Sequence, residues 1–379
     1  MRHLLLLMFL LLAGAVLAED LLDPAEAPMP VRRAVFRAET AAGRGQLEDA
    51  ARILTEALEA GESRDHPALR YRLGVYELEL GKPQVALVHL TRASEQAPGE
   101  VVVWRDLARA AYESGAYAQA AEAFGRAGDE NAEFRYYSGV AWVQADEPAR
   151  AVAVLEPLVA SAPDTVPKPW VQALVSAAST AGTPERASAG VDRLLRDHPD
   201  SSDSWRLASQ QSQLVGRMEE ASIRLQVADW LDGLATADVR RLAELQLAAG
   251  VPRSAARTYA RLSRAGETDL VETLAVAWLQ AHEPDSARVV LESGLAVKAT
   301  ASLEMLLGDL EFGEERWTSA ATAYGRAEAL EPELGRAALM QGACAMRLGH
   351  SSEGAVHLRR AMADPAVAAR ARQWLSRLR

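Results

Sequence analysis

The sequence is short of cysteine, of lysine and of long apolar runs, and each shortage removes a class of answers. Cys344 is the only cysteine among 379 residues, so the chain can form no internal disulfide and no cysteine-rich metal centre. Lysine occurs only at Lys82, Lys168 and Lys298. The other basic residues are arginine, and 52 acidic residues outnumber 41 basic ones for a net charge of −11, which argues against a general affinity for nucleic acid. After residue 18 no segment approaches the roughly 20 consecutive apolar residues that a membrane helix needs.

The patterns that carry chemistry are missing too. The seven histidines, His3, His66, His89, His198, His282, His350 and His357, show no HExxH arrangement, and His350 and His357 stand across an inter-helix turn with ordinary surface placement expected. Cys344 lies in the helical run GACAM, where a small buried thiol is expected and no histidine is placed beside it for nucleophilic work. The glycines mark helix ends and helix contacts and do not form a phosphate-binding strand-to-helix turn. Carboxylates are plentiful but scattered, with no cleft-forming second domain to separate the pKa values of a pair. The expectation is a non-enzymatic chain with no cofactor and no metal.

What is present begins with MRHLLLLMFLLLAGAVLA, one arginine before a short apolar run that ends in small residues. Residues 1–18 read as a secretory signal peptide cut before Glu19. Residues 19–30, EDLLDPAEAPMP, read as an acidic, proline-containing lead-in, extended or mobile because each proline disfavours helix at the residue before it. A signal peptide, arginine-heavy basic usage and no disulfide place the expected site of action in the periplasm of a bacterial envelope.

From Val31 onward the sequence repeats itself at a spacing of about 34 residues. Gly74 with Ala86 recurs as Gly139 with Ala151 and as Gly308 with Ala320, and prolines close those units at Pro98, Pro163 and Pro332. Ten units begin near Val31, Pro67, Val101, Ala132, Lys168, Ser202, Thr236, Thr268, Ala301 and Gly335. Alanine fills one equivalent site in nine of them, Ala50, Ala86, Ala120, Ala151, Ala187, Ala221, Ala255, Ala287 and Ala320, with Gly354 in the tenth. Each unit holds two segments of helical period separated by a breaker such as Gly81, Gly115, Gly182, Gly216, Gly250 or Gly349, which predicts two antiparallel helices brought close by their small residues. One pair cannot bury its apolar face alone, so the next must cover it. Residues 366–379, AVAARARQWLSRLR, supply a last amphipathic helix that caps the stack.

This pattern, with Trp104, Leu107, Ala120, Phe124 and Ala127 in the third unit and Leu73, Gly74, Ala86, Ala93 and Pro98 in the second, resembles the tetratricopeptide repeat. The resemblance implies an all-α fold, a right-handed superhelical α-solenoid of about ten helix-turn-helix units over 31–365. It also implies that the first helix of each pair lines a concave groove. Carried onto this chain, the inward places fall on Tyr71, Val75 and Leu78 in the second unit and on Arg105, Arg109, Tyr112 and Tyr136 in the third and fourth. Further along they fall on Arg206, Gln210, Gln213 and Arg240, and then on Asp269, Glu272, Met305, Asp309 and Phe312. The groove is therefore expected to be basic and aromatic toward the N-terminal half and acidic with apolar points toward the C-terminal half, suited to an extended polypeptide. The lysine and asparagine set with which some family members clamp a terminal carboxylate is missing.

The phrases AELQLAAGVPRSAARTYARL, AVAWLQAHEPDSARVVLESGL, LGDLEFGEERWTSAATAYGRA and ARQWL are also similar to periplasmic tetratricopeptide proteins found with TonB, ExbB and ExbD energy-coupling components. That similarity implies an envelope adaptor with protein partners of this type. The alternative is an assembly scaffold for an envelope polymer, a pilus or outer-membrane protein export. Homo-oligomerisation through an edge or the convex surface stays open.

Overall fold

The computed structural model describes residues 23, 25, 27–61, 65–128, 131–264 and 270–377. The expected signal peptide and Asp269 lie outside them. Among the described residues there are 21 α-helices and no strand. Ten antiparallel pairs follow one another: α1 (Met29–Ala42) with α2 (Leu47–Glu59), α3 (Pro67–Glu79) with α4 (Pro83–Gln96), α5 (Val101–Ser114) with α6 (Tyr117–Ala127), α7 (Ala132–Gln144) with α8 (Pro148–Ala160), and α9 (Lys168–Thr180) with α10 (Ser188–Asp197). The series continues with α11 (Ser202–Leu214) and α12 (Met218–Asp232), α13 (Thr236–Ala248) and α14 (Pro252–Arg264), α15 (Val271–Gln280) and α16 (Pro284–Val297), α17 (Ala301–Gly313) and α18 (Trp317–Leu330), and α19 (Gly335–Arg347) and α20 (Ser351–Ala361). A final helix, α21 (Pro365–Ser376), packs on α19 and α20. In the fifth pair the second segment starts one turn early as a 3₁₀ turn, Pro184–Ala187, before becoming α-helical.

Within the stretches Met29–Asp197 and Ser202–Ser376, each helix packs on its sequence neighbour, within and between pairs, which is the arrangement of a tetratricopeptide solenoid. The pairs fall into two compact units that divide between Pro199 and Asp200. First helices of successive pairs also touch one another, α1 with α3, α3 with α5, α7 with α9 and α15 with α17, whereas second helices do so at α8 with α10. The first helices thus form the more crowded, inner side of each unit.

In nine of the ten pairs a large side chain is seated over a small one, the fifth having Val175 at the small residue's place. A Cβ added to Gly74 would lie 2.5 Å from Cγ of Leu90, one on Gly139 would lie 2.5 Å from Leu155, and one on Gly308 would lie 2.5 Å from the Tyr324 ring. Gly342 stands in the same relation to Leu358 at 2.9 Å. Elsewhere the small partner is alanine or serine: Ala38 under Leu54, Ala108 under Phe124, Ser209 under Leu225, Ala243 under Tyr259 and Ala275 under Leu291, all of them buried. Ser209 adds a hydrogen bond from its Oγ to the Ala221 carbonyl at 2.7 Å. The alanine site is buried in every pair, and each buried large apolar side chain contributes about 2 kcal/mol to the stack.

The turn between paired helices is equally uniform. Just beyond the first helix's C-terminal end an N–H donates back to a carbonyl five residues earlier, as Lys82 to Glu77, Ala116 to Ala111 and Arg316 to Glu311 do, which satisfies carbonyls the helix end leaves unpaired. This closure requires the residue before it to be left-handed, and glycine supplies that in seven pairs, Gly115 with φ 85° among them. Asp146, His282 and Glu315 occupy the same place with φ of 60°, 57° and 59°. The breaker-glycine expectation therefore holds where glycine is present, and three other residues accept the strained conformation because the turn demands it.

Buried polar side chains are tied across helices. Glu311 accepts from Arg288 Nε at 2.7 Å and from Arg316, and Glu304 accepts from Arg326 Nε at 2.7 Å. Asp229 pairs with Arg261 at 2.6 Å between α12 and α14, and that hydrogen bond holds its carboxyl below the usual carboxylate range. The longer α8–α9 connection is held by Arg193, which donates to the carbonyls of Val159, Ala160, Ala162 and Asp164. Among the described residues no helix is long and apolar enough to cross a membrane.

Three substitutions test this account by denaturant unfolding. Gly308→Ala destabilises the chain by about 1–2 kcal/mol, because crowding against Tyr324 outweighs the gain in helix propensity. Gly325→Ala, whose added carbon meets only Gln341 at 3.9 Å, stabilises by about 0.5–1 kcal/mol. Glu315→Gly relieves a left-handed non-glycine residue and raises stability by about 0.5–1 kcal/mol.

Candidate functional site

With the interior filled by the large-over-small contacts, chemistry is left to the inner surface of the first helices. In the N-terminal unit that surface is a connected polar and aromatic cluster. Tyr71 Oη donates to Asp106 Oδ2 at 2.8 Å from one first helix to the next. Arg105 donates to the same carboxylate through Nε at 3.0 Å and Nη2 at 3.1 Å. Burial, with the Asp106 charge beside it, pushes the Tyr71 phenol well above its ordinary range, so it stays protonated and donating. Arg109 donates to Glu113 one turn on at 2.8 Å.

The aromatic members are packed on partners. Tyr112 meets Tyr117 edge-on at 5.3 Å, and Tyr136 lies between Tyr137 at 5.6 Å and the stacked ring of Trp170 at 6.4 Å. Trp170, in the first turn of α9, belongs to this surface and was missed by sequence reasoning, which took only fixed places in each unit. The expectation of a basic N-terminal groove needs correction, since Arg105 and Arg109 are each matched by a carboxylate one or four residues away. Leu78 is also not an inward surface residue. It is 5% exposed and packs in the core with Ala86, Leu90 and Leu107.

The C-terminal unit is different. Arg206 donates to Asp203 at 3.1 Å and to the Gly233 carbonyl at 2.9 Å, while Gln210 is exposed and Arg240 half-buried. Further on, α15, α17 and the α18–α19 connection enclose an open recess of about 550 Å³. Its apolar lining is Val276, Met305, Leu306 and Leu334, and its polar lining includes Glu272, Asp309, Glu331 and Arg336. Asp309 is fully engaged: it accepts from Tyr324 Oη at 2.8 Å and from Arg336 Nη2 at 2.6 Å. Burial and that carboxylate push the Tyr324 phenol upward. A second recess of about 440 Å³ adjoins the first through Asp309 and reaches Leu279, His282, Leu310 and Glu314.

Of the inward residues expected here, Glu272, Met305 and Asp309 thus line one recess, while Phe312 turns to Trp317, edge-on at 4.8 Å. Glu331 and Leu334 come from the connection between pairs, which a reading confined to first helices passes over. Cys344 is fully buried, and burial pushes its thiol up to about 11. Among the described residues no group of three or more His, Cys, Asp and Glu side chains is arranged to hold a metal ion.

Two tetratricopeptide-repeat family models match the chain, over residues 37–101 and 77–143. No curated protein matches. Among solved structures, that of Naa15/Naa10 bound to HypK-THB is similar at 13% identity with a TM-score of 0.47, covering 88% of this chain and 57% of that one, so the chain spans little more than half its length. YrrB, a tetratricopeptide protein with an unusual peptide-binding site, gives 16% identity and a TM-score of 0.35 over 47% of this chain and 92% of that one. Yeast Tom70 gives 12% identity and a TM-score of 0.35 over 92% and 95%. The two matches together span residues 37–143, and over that stretch the chain is similar to tetratricopeptide repeats, in keeping with the paired-helix fold.

The N-terminal cluster makes its own prediction. Asp106→Ala removes the acceptor that serves both Tyr71 and Arg105, and the loss in urea unfolding free energy is about 2 kcal/mol. Glu113→Ala, which frees only the more exposed Arg109, costs less than about 0.5 kcal/mol.

Proposed function

We propose that this chain is a non-catalytic adaptor or scaffold of the bacterial envelope that holds polypeptide segments against the inner surfaces of its two units. The observation that supports this reading most is the division of labour in each pair. Apolar side chains are consumed by helix-on-helix packing, while the first helices keep polar, aromatic and charged groups and open recesses facing outward from the core. An export location is supported by the apolar N-terminal segment of the sequence and by the absence of any need for reduced or paired cysteines.

Coupling to TonB, ExbB and ExbD-type components is the narrower form of the reading, supported by the phrases of the C-terminal half. The scaffold for polymer, pilus or outer-membrane protein assembly uses the same surfaces. Protein-binding positions under this proposal are Tyr71, Arg105, Arg109, Tyr112, Tyr136, Arg206, Gln210, Arg240, Glu272, Asp309 and Phe312.

Site-specific photocross-linking in cells tests it. A photoreactive residue at Arg109, Tyr136 or Gln210 on first helices yields discrete polypeptide adducts, and one at Val88, Glu122 or Ile223 on second helices does not. Adducts restricted to the second helices, or none at either set, overturn the proposal. Adducts containing TonB, ExbB or ExbD proteins select the energy-coupling form. Recovery in the periplasmic fraction with Glu19 as first residue checks export and cleavage.

A further inference from the structure

The adaptor reading leaves open what kind of segment is bound, and the recesses of the C-terminal unit narrow it. Three carboxylates, Glu272, Asp309 and Glu331, stand around the larger recess against one guanidinium, Arg336. That guanidinium is spent on Asp309 at 2.6 Å. Glu272 and Glu331 are both exposed, and neither carries an ion pair among the described residues. Between them lies an apolar floor in which Met305 is only 6% exposed.

The second recess continues this character. It shares Asp309 with the first, adds the carboxylate of Glu314 and is floored by Leu279 and Leu310. Glu314 is loosely paired, with Arg316 at 3.5 Å. The two recesses together are therefore an acid-rimmed, apolar-floored trough along the inner faces of α15 and α17.

We infer that this trough binds an extended polypeptide segment in which lysine or arginine alternates with aliphatic residues. In an extended chain successive side chains point to opposite sides, with alternate ones about 7 Å apart. One set then enters the floor made by Met305 and Leu334, and the other reaches the carboxylates at the rim. Long basic side chains suit this arrangement, since their methylene stems cover apolar surface while the charge stays at the rim. An acidic segment is rejected by Glu272 and Glu331, so the same charges supply both attraction and discrimination.

The inference rests on the adaptor reading, and its test separates the two. Fluorescence anisotropy of the purified full chain uses a labelled peptide with five Lys-Leu dipeptides between Gly-Ser ends, its Nε-acetylated form, and the corresponding Glu-Leu peptide. The Lys-Leu peptide binds in a salt-dependent manner, acetylation weakens it at least tenfold, and the Glu-Leu peptide does not bind. Glu272→Gln combined with Glu331→Gln weakens the Lys-Leu peptide about tenfold and flattens the salt dependence. Glu219→Gln combined with Glu292→Gln, at exposed positions on the second helices α12 and α16, leaves it unchanged. An unaltered melting temperature shows that the groove variant is folded.

Equal binding of the acetylated peptide, or an equal loss from the second-helix pair, overturns the inference. So does self-association of the full chain that the groove pair abolishes, because the occupant is then another copy of the chain. If inner positions such as Arg109 and Gln210 still cross-link polypeptides in cells while these charge tests fail, the adaptor reading stands and only the chemistry assigned to the trough falls.

Discussion

The seating of one bulky side chain over a missing or minimal one sets the distance between paired helices, and everything else in this protein follows from that distance. Where Leu90 rests on Gly74, or Tyr324 on Gly308, the contact is closer than a Cβ would permit. The pair can then turn its remaining apolar faces to the next pair. Each core cluster accordingly runs through successive helices, as from Leu78 through Leu90 and Leu107 to Phe124 and Tyr137. Packing this tight fills the space between the paired helices and turns recognition toward the surfaces they leave exposed.

The part of this that depends on side-chain size was legible in the sequence. A small residue on the first helix, alanine twelve positions on and a large apolar residue four beyond it recur in phase in most pairs because a mismatched size at those places collides or leaves a void. The turn was only partly legible. Its left-handed position is imposed by backbone hydrogen bonding, and glycine advertises it, but Asp146, His282 and Glu315 meet the same demand with no mark in the sequence.

The binding surface was the least legible, for a physical reason. Listing residues by repeat position gives the side chains that face inward but not what they touch. Arg105 and Arg109 look like free positive charge until Asp106 and Glu113 are seen to accept their hydrogen bonds. Phe312 looks like an exposed anchor until Trp317 covers it. Glu331 and Leu334 look like connection residues until the chain brings them to line one recess with Met305 and Leu306. Surface chemistry is decided by neighbours, and neighbours on a solenoid come from adjacent pairs as often as from the same helix.

The two units therefore offer partners different terms. In the N-terminal unit Tyr71, Arg105 and Asp106 already satisfy one another and the aromatic rings are packed on neighbouring rings. A partner gains rigid, largely preorganised apolar surface but little net charge, and displacing the Tyr71–Asp106 bond would cost it more than a new contact returns. In the C-terminal unit Glu272 and Glu331 are exposed and carry no ion pair among the described residues, so a partner that brings positive charge keeps most of the Coulomb gain and leaves the Asp309–Arg336–Tyr324 network intact. Under the proposed function, shape would select at one unit and charge at the other, although both units are built from one repeated contact.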